Sequence, residues 1–156
     1  MVLLLLVHTF EMETRCKQSL VLVSAIEADR EVLTSFLDER RWSIRVCKSI
    51  ADAQRCLSSS IIVICDQLLP DGDWRVVLSI LRALPATPLL IVMSRLADDA
   101  LWAEVLNCGG YDVISKPLAR ADVIWVLQSA SNMVADKART RPARTSVMAR
   151  QLLPEG

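Results

Sequence analysis

The stretch Ile61-Ile62-Val63-Ile64-Cys65-Asp66-Gln67-Leu68-Leu69-Pro70-Asp71-Gly72 decides how the chain is read. Its first five residues are all apolar, four of them β-branched, and no polar residue relieves the run. Such a segment is too short for a helix and apolar on both faces, which describes a strand covered from both sides in a parallel sheet. An acid, Asp66, follows it directly, and Pro70-Asp71-Gly72 supplies the chemistry of a turn. Asp66 is therefore either a turn former or a site residue, and the rest of the chain has to say which.

Working outward, the same unit recurs. Towards the N-terminus, Leu20–Val23 reads as a strand, and Ala28–Arg40 as a helix with Val32, Leu33, Phe36 and Leu37 on one face. Ser43–Cys47 is a second strand; Ser49-Ile50-Ala51-Asp52 resembles a capping box opening a helix that runs to Ser58-Ser59-Ser60. Towards the C-terminus, a loop over Pro70–Gly72 leads to a helix carrying Val76, Val77, Ile80, Leu81 and Leu84, stopped by Pro85. Leu89–Met93 is a strand, Ala97–Cys108 a helix ended by Gly109-Gly110, Tyr111–Ser115 a strand and Ala121–Met133 a helix. Five strand–helix repeats predict an α/β fold, a doubly wound five-stranded parallel sheet with helices on both faces. Residues 19–133 form this domain, after an N-terminal extension over 1–18 and before a basic C-terminal tail over 134–156.

Folds of this kind bind ligands at the carboxyl ends of their strands. Those ends carry Ser24-Ala25, Asp66, Ser94-Arg95 and Lys116-Pro117. A carboxylate, a hydroxyl and an ammonium converging on one sheet edge suit phosphoryl transfer. The carboxylate is the nucleophile, the hydroxyl donates to a phosphoryl oxygen, and the lysine offsets developing charge.

Three segments in order resemble the receiver domain of bacterial response regulators: the Ile61–Gly72 strand and loop, Ile91-Val92-Met93-Ser94, and Gly109-Gly110-Tyr111-Asp112-Val113-Ile114-Ser115-Lys116-Pro117-Leu118. The resemblance implies a flavodoxin-like receiver fold and a place in two-component phosphorelay signalling. By position it makes Asp66 the phosphoacceptor, Ser94 the hydroxyl that binds a phosphoryl oxygen and Lys116 the partner of both, with a cis Lys-Pro peptide. The chain departs from the family where two adjacent acids hold magnesium. Ser24 and Ala25 stand there, followed by Ile26. Asp66 and the Leu68 carbonyl are left as oxygen ligands, so Mg2+ binding is expected to be weak or absent. Glu27 and Asp29 lie close by, though the helix dipole accounts for acids at that point; of the two, Glu27 is the candidate substitute. Arg95 either pairs with Asp66 in place of the metal or lies outward. Trp74, where the family loop has glycine, either covers the pocket or starts the helix. Val113 replaces the aromatic side chain that commonly reports phosphorylation.

These residues predict an atypical receiver: a protein-interaction module whose Mg-dependent phosphorylation at Asp66 is impaired or absent. It is not an enzyme beyond any self-phosphorylation and dephosphorylation of Asp66. The alternative is a working phosphoacceptor that uses Glu27 or Arg95 in place of the acidic pair. A small-molecule enzyme on the same fold is disfavoured, because no Gly-rich loop follows the first strand. Expected partners are a histidine kinase, a downstream effector or a second copy of the chain, docked on the face of the fourth helix, fifth strand and fifth helix. Trp102 and Trp125 lie on those helices.

Composition excludes other classes. The 156 residues balance 18 basic against 18 acidic side chains, which leaves no general basic field for nucleic acid. Five cysteines (Cys16, Cys47, Cys56, Cys65 and Cys108) are scattered without a CxxC pair, arguing against a disulfide framework or zinc site and for a reducing compartment. The apolar run Met1–Val7 is far shorter than the ~20 residues a membrane span needs and lacks the flanks of a signal peptide, so the chain is expected to be cytoplasmic. His8, the only histidine, falls outside the repeats. The Lys137–Arg150 stretch is too short for a DNA-binding output domain.

Overall fold

The computed structural model describes residues 16–140. The Met1–Val7 run, His8 and the tail arginines Arg141, Arg144 and Arg150 lie outside the described residues. The chain runs β1 (Gln18–Val23), α1 (Glu27–Phe36), β2 (Trp42–Cys47), α2 (Ile50–Ala53), a 3-10 turn (Leu57–Ser59), β3 (Ile62–Asp66), β4 (Leu68–Leu69), β5 (Gly72–Asp73), α3 (Trp74–Arg82), β6 (Leu89–Ser94), α4 (Asp99–Cys108), β7 (Asp112–Ser115) and α5 (Arg120–Thr140). Five strands form one parallel sheet in the order β2-β1-β3-β6-β7.

Why the strands are apolar throughout is visible in the two layers that cover them. Alternate residues of β1, β3 and β6 face opposite ways. Leu20, Leu22, Ile62, Ile64, Ile91 and Met93 pack with Leu33 of α1 and with Val123, Leu127 and Ala130 of α5. Val21, Val23, Val63, Cys65 and Val92 pack with Ile50 of α2, Trp74 and Val77 of α3 and Val105 of α4. Each fully buried Leu, Ile or Val contributes about 1.5–3 kcal/mol relative to exposure, so this double layer is the main favourable term. β1 lies between β2 and β3, so successive connections leave it in opposite directions. The switch point is therefore between the ends of β1 and β3, at Ser24 and Asp66.

Four elements differ from their sequence reading, each for a local reason. The first helix stops at Phe36 rather than Arg40, because Asp38 turns the chain: its carbonyl accepts from the N–H groups of Arg41 and Trp42, and its carboxylate from Arg40. The second helix keeps only Ile50–Ala53, capped by the Ser49 hydroxyl on Asp52 N–H, before tighter turns lead to Leu57–Ser59. Pro70–Gly72 is the tip of a small hairpin, in which Leu68 pairs with Asp73 and Leu69 with Gly72. Finally, α5 continues past Met133 to Thr140. Its apolar periodicity fades there, but Ala135, Lys137, Ala138 and Arg139 are good helix formers. Residues 134–140 of the expected tail are thus helical, and Val134 packs against the α1/α5 core layer.

Candidate functional site

Asp66 ends β3 at the switch point with its side chain only 5% exposed. A buried carboxylate needs donors, and each of its oxygens has one. Lys116 Nζ lies 2.7 Å from Oδ1, and the Ser24 hydroxyl donates to Oδ2 at 2.5 Å. Lys116 also reaches a second acid. Its ammonium, 7% exposed, stands 2.7 Å from Asp29 Oδ2 on the first turn of α1. Burial works against the Lys116 ammonium, but the Asp29 and Asp66 carboxylates outweigh it and hold its pKa above the ordinary lysine value. One cation is shared by two acids, in a pocket closed by a serine.

Backbone links hold these groups in place. Ser24 N–H donates to the Cys47 carbonyl at 3.0 Å, Gln67 N–H to Met93 at 2.9 Å, and Lys116 N–H to Ser94 at 2.9 Å. The strand ends are thereby tied across the sheet. Arg30 Nη1 donates to the Ser24 carbonyl at 2.8 Å, which adds positive charge behind the serine. The Lys116-Pro117 peptide is cis.

Not every expected group joins. Ser94 is buried at the end of β6, but its hydroxyl donates to Gln67 Oε1 at 2.6 Å rather than meeting Asp66. Glu27 is exposed at the first position of α1, and Arg95 is exposed beyond β6; neither forms an ion pair among the described residues. The acid that does enter is Asp29, two residues after Glu27 and so turned by more than half a helical turn. Ala25 is exposed and brings no donor atom. Trp74 is the first residue of α3 and is fully buried, packed in the α2/α3/α4 layer rather than exposed as a lid. Arg75 stacks over its ring at 4.9 Å and pairs with Glu104 of α4. Gln67 and Arg30 went unnoticed in the sequence; the one hint was position, directly beside Asp66 and one residue after Asp29.

No family model matches the chain, and no curated protein matches it. Solved structures do. The signal receiver domain of a Luxo repressor protein from Vibrio parahaemolyticus superposes with a TM-score of 0.74 at 15% identity, over 81% of this chain and 98% of that one. The signal receiver domain of an HD domain-containing protein from Pseudomonas fluorescens Pf-5 gives 0.70 at 22% identity, over 80% and 93%. The CheX-CheY-BeF3-Mg complex of Borrelia burgdorferi gives 0.65 at 22% identity, over 72% and 87%.

The fold is that of a receiver domain.

On this receiver fold, a magnesium ion would have to be held by the donors at the ends of β1 and β3. The residues present do not fit it. Ser24 offers a hydroxyl whose proton is committed to Asp66, Ala25 offers nothing, and Asp66 and Asp29 already share the Lys116 ammonium. Leu68 belongs to the hairpin, paired with Asp73. Among the described residues, no three His, Cys, Asp or Glu side chains gather as a metal would need. A divalent cation would find both nearby carboxylates already paired with an ammonium.

Proposed function

We propose that this receiver fold serves as a signalling module in a two-component-type system and acts by binding a protein partner, without Mg-dependent phosphorylation of Asp66. The observation that carries the reading is the Lys116 ammonium held between Asp29 and Asp66, with Ser24 on the remaining Asp66 oxygen. Phosphoryl transfer to a carboxylate needs an unencumbered oxygen and positive charge placed where the transferred group develops its negative charge. Here the nucleophile's oxygens are engaged, the lysine's charge is divided between two acids, and the Ser94 hydroxyl is spent on Gln67. What these residues do instead is tie the pocket together through one shared ammonium. Such a pocket fixes the ends of β1, β3 and β7 in one arrangement.

Partner binding is assigned to the α4–β7–α5 face. Trp125 is 68% exposed and Trp102 49% exposed, with Leu106 of α4 also open to solvent. Aromatic anchors of this kind dominate protein interfaces. The Trp102 indole N–H donates to Asp112 Oδ1 of β7 at 2.9 Å, which fixes that ring as part of the surface. One similar structure, CheX-CheY, is itself a complex of two proteins. No helix among the described residues is long and apolar enough to cross a membrane.

The test is incubation with phosphoramidate, with and without magnesium, followed by intact mass, beside an Asp66→Asn control. The expected result is no phosphoryl gain in any condition. A magnesium-dependent gain that the control lacks would overturn the reading and make Asp66 a working acceptor.

A further inference from the structure

A second chemical group lies at the outer edge of the sheet, away from Asp66. Cys47 ends β2 and Cys56 lies between α2 and the 3-10 turn, and their sulfurs are 3.6 Å apart. Both residues are largely buried by their neighbours, but both line one open cleft of about 530 Å³. Around that cleft stand Arg45, Lys48 and Arg55, against the single acid Asp52. Two adjoining thiols at the base of a positively charged opening make a site for a particular class of reagent.

We propose that Cys47 and Cys56 are a redox pair that closes to a disulfide by exchange with an anionic small-molecule disulfide admitted through this basic cleft. One thiolate of the pair attacks a sulfur of the reagent, breaking its S–S bond and expelling one thiolate, and a mixed disulfide forms. The second protein thiolate attacks the protein-side sulfur, forms the Cys47–Cys56 bond and expels the other half. The two protons leave the protein thiols and end on the two released thiols. The pair loses two electrons, and the reagent gains them.

The sulfurs already lie in contact. A disulfide needs the sulfurs about 2 Å apart, so from 3.6 Å closure asks for a shift of less than about 2 Å between the two sulfurs. The sequence separation is nine residues, so the crosslink ties β2 to the α2 segment through a short loop. The Cys47 carbonyl accepts the Ser24 N–H, which puts the pair one hydrogen bond from the residue that holds Asp66. Burial and the Cys56 thiol beside it push the Cys47 thiol up to about 12; Asp52 adds to this, while Arg45 opposes it. Attack by Cys47 is therefore slow at neutral pH and accelerates as pH rises, because the thiolate is the nucleophile.

The experiment uses the full, fully reduced chain, incubated with glutathione disulfide (anionic) or cystamine (cationic) at matched concentration and two pH values. Intact mass and peptide mapping follow. Expected are the loss of two hydrogen atoms, a peptide joining Cys47 to Cys56, and faster reaction with glutathione disulfide than with cystamine. The Cys47→Ser and Cys56→Ser variants should instead accumulate a glutathione adduct on the remaining thiol. In Arg45→Gln/Arg55→Gln, with an unchanged fold checked by thermal melting, the preference for the anion should shrink several-fold. A stable adduct on the wild-type pair without the crosslink, or reaction confined to Cys16 and Cys108, would overturn the redox pair. Equal rates with both reagents would overturn the role of the cleft.

Discussion

Removing Lys116 leaves Asp29 and Asp66 without the ammonium they share, whereas neutralising Asp66 leaves Lys116 still paired with Asp29. The two changes should therefore differ greatly. Lys116→Met is expected to destabilise by about 3–5 kcal/mol, the usual cost of orphaning a buried charge. Asp66→Asn should cost clearly less, and urea denaturation of the two variants side by side measures the gap. The pH dependence has a definite sign. Lys116 has a folded pKa above its ordinary value of 10.5, so its ion-pair stabilisation is fully present below that value. It is lost as pH rises through the higher folded pKa. Melting of the wild type should decline in that alkaline range more steeply than melting of Lys116→Met. That Asp66, Ser94 and Lys116 stand at strand ends was legible in the sequence; that Ser94 turns to Gln67 was not. The choice of Asp29 over Glu27 was not, because it depends on how α1 is rotated against the sheet, and the dipole argument treats both acids alike.

Elements show where side chains overrule pattern. The β4–β5 hairpin is fastened to α2 by Asp71, whose carboxylate accepts from the N–H groups of Ile50 and Ala51, both at 3.0 Å. These two bonds hold the Asp71 pKa below its ordinary 3.8. A depressed carboxyl contributes stability above the unfolded value and loses it as pH falls through the folded one. Asp71→Ala should lower the thermal midpoint at neutral pH, and the difference from wild type should vanish in strong acid; a midpoint unchanged at neutral pH would contradict the contact. Gly72 sits so close to this junction that a Cβ would meet Ile50 Cδ1 at 2.9 Å, so hairpin and helix are packed as one piece. In sequence, Pro70-Asp71-Gly72 announced a turn and no more. Its partner lies about twenty residues upstream, at a distance no local pattern covers.

At the scale of the whole molecule, the described residues carry three places of interest: the strand-end pocket around Asp66, the α4–β7–α5 face and the basic cleft over Cys47 and Cys56. If the face joins two copies of the chain, Trp125→Glu should weaken self-association by about an order of magnitude or more, as loss of an aromatic anchor does. The same substitution should leave the melting midpoint within about 0.5 kcal/mol of stability, the usual range for exposed positions. Sedimentation equilibrium over a concentration series reads the first effect and thermal melting the second. A wild-type chain that stays monomeric at every concentration would rule out a second copy as the occupant of the face.

By itself, the sequence determined the five strands, the helices on both faces of the sheet and which residues stand at the carboxyl ends of the strands. Each follows from short-range periodicity, which a linear chain displays openly: strands buried on both sides are apolar at every position, and site residues follow them. Only the tertiary structure decided which acids share Lys116, that Ser94 turns to Gln67, that Arg95 stays outside, and that Cys47 meets Cys56. Those pairings depend on helix rotation and on distances between segments far apart in the chain. Side chains settle such contacts by the donors and charges that packing brings within about 3 Å, and spacing along the sequence carries no record of that.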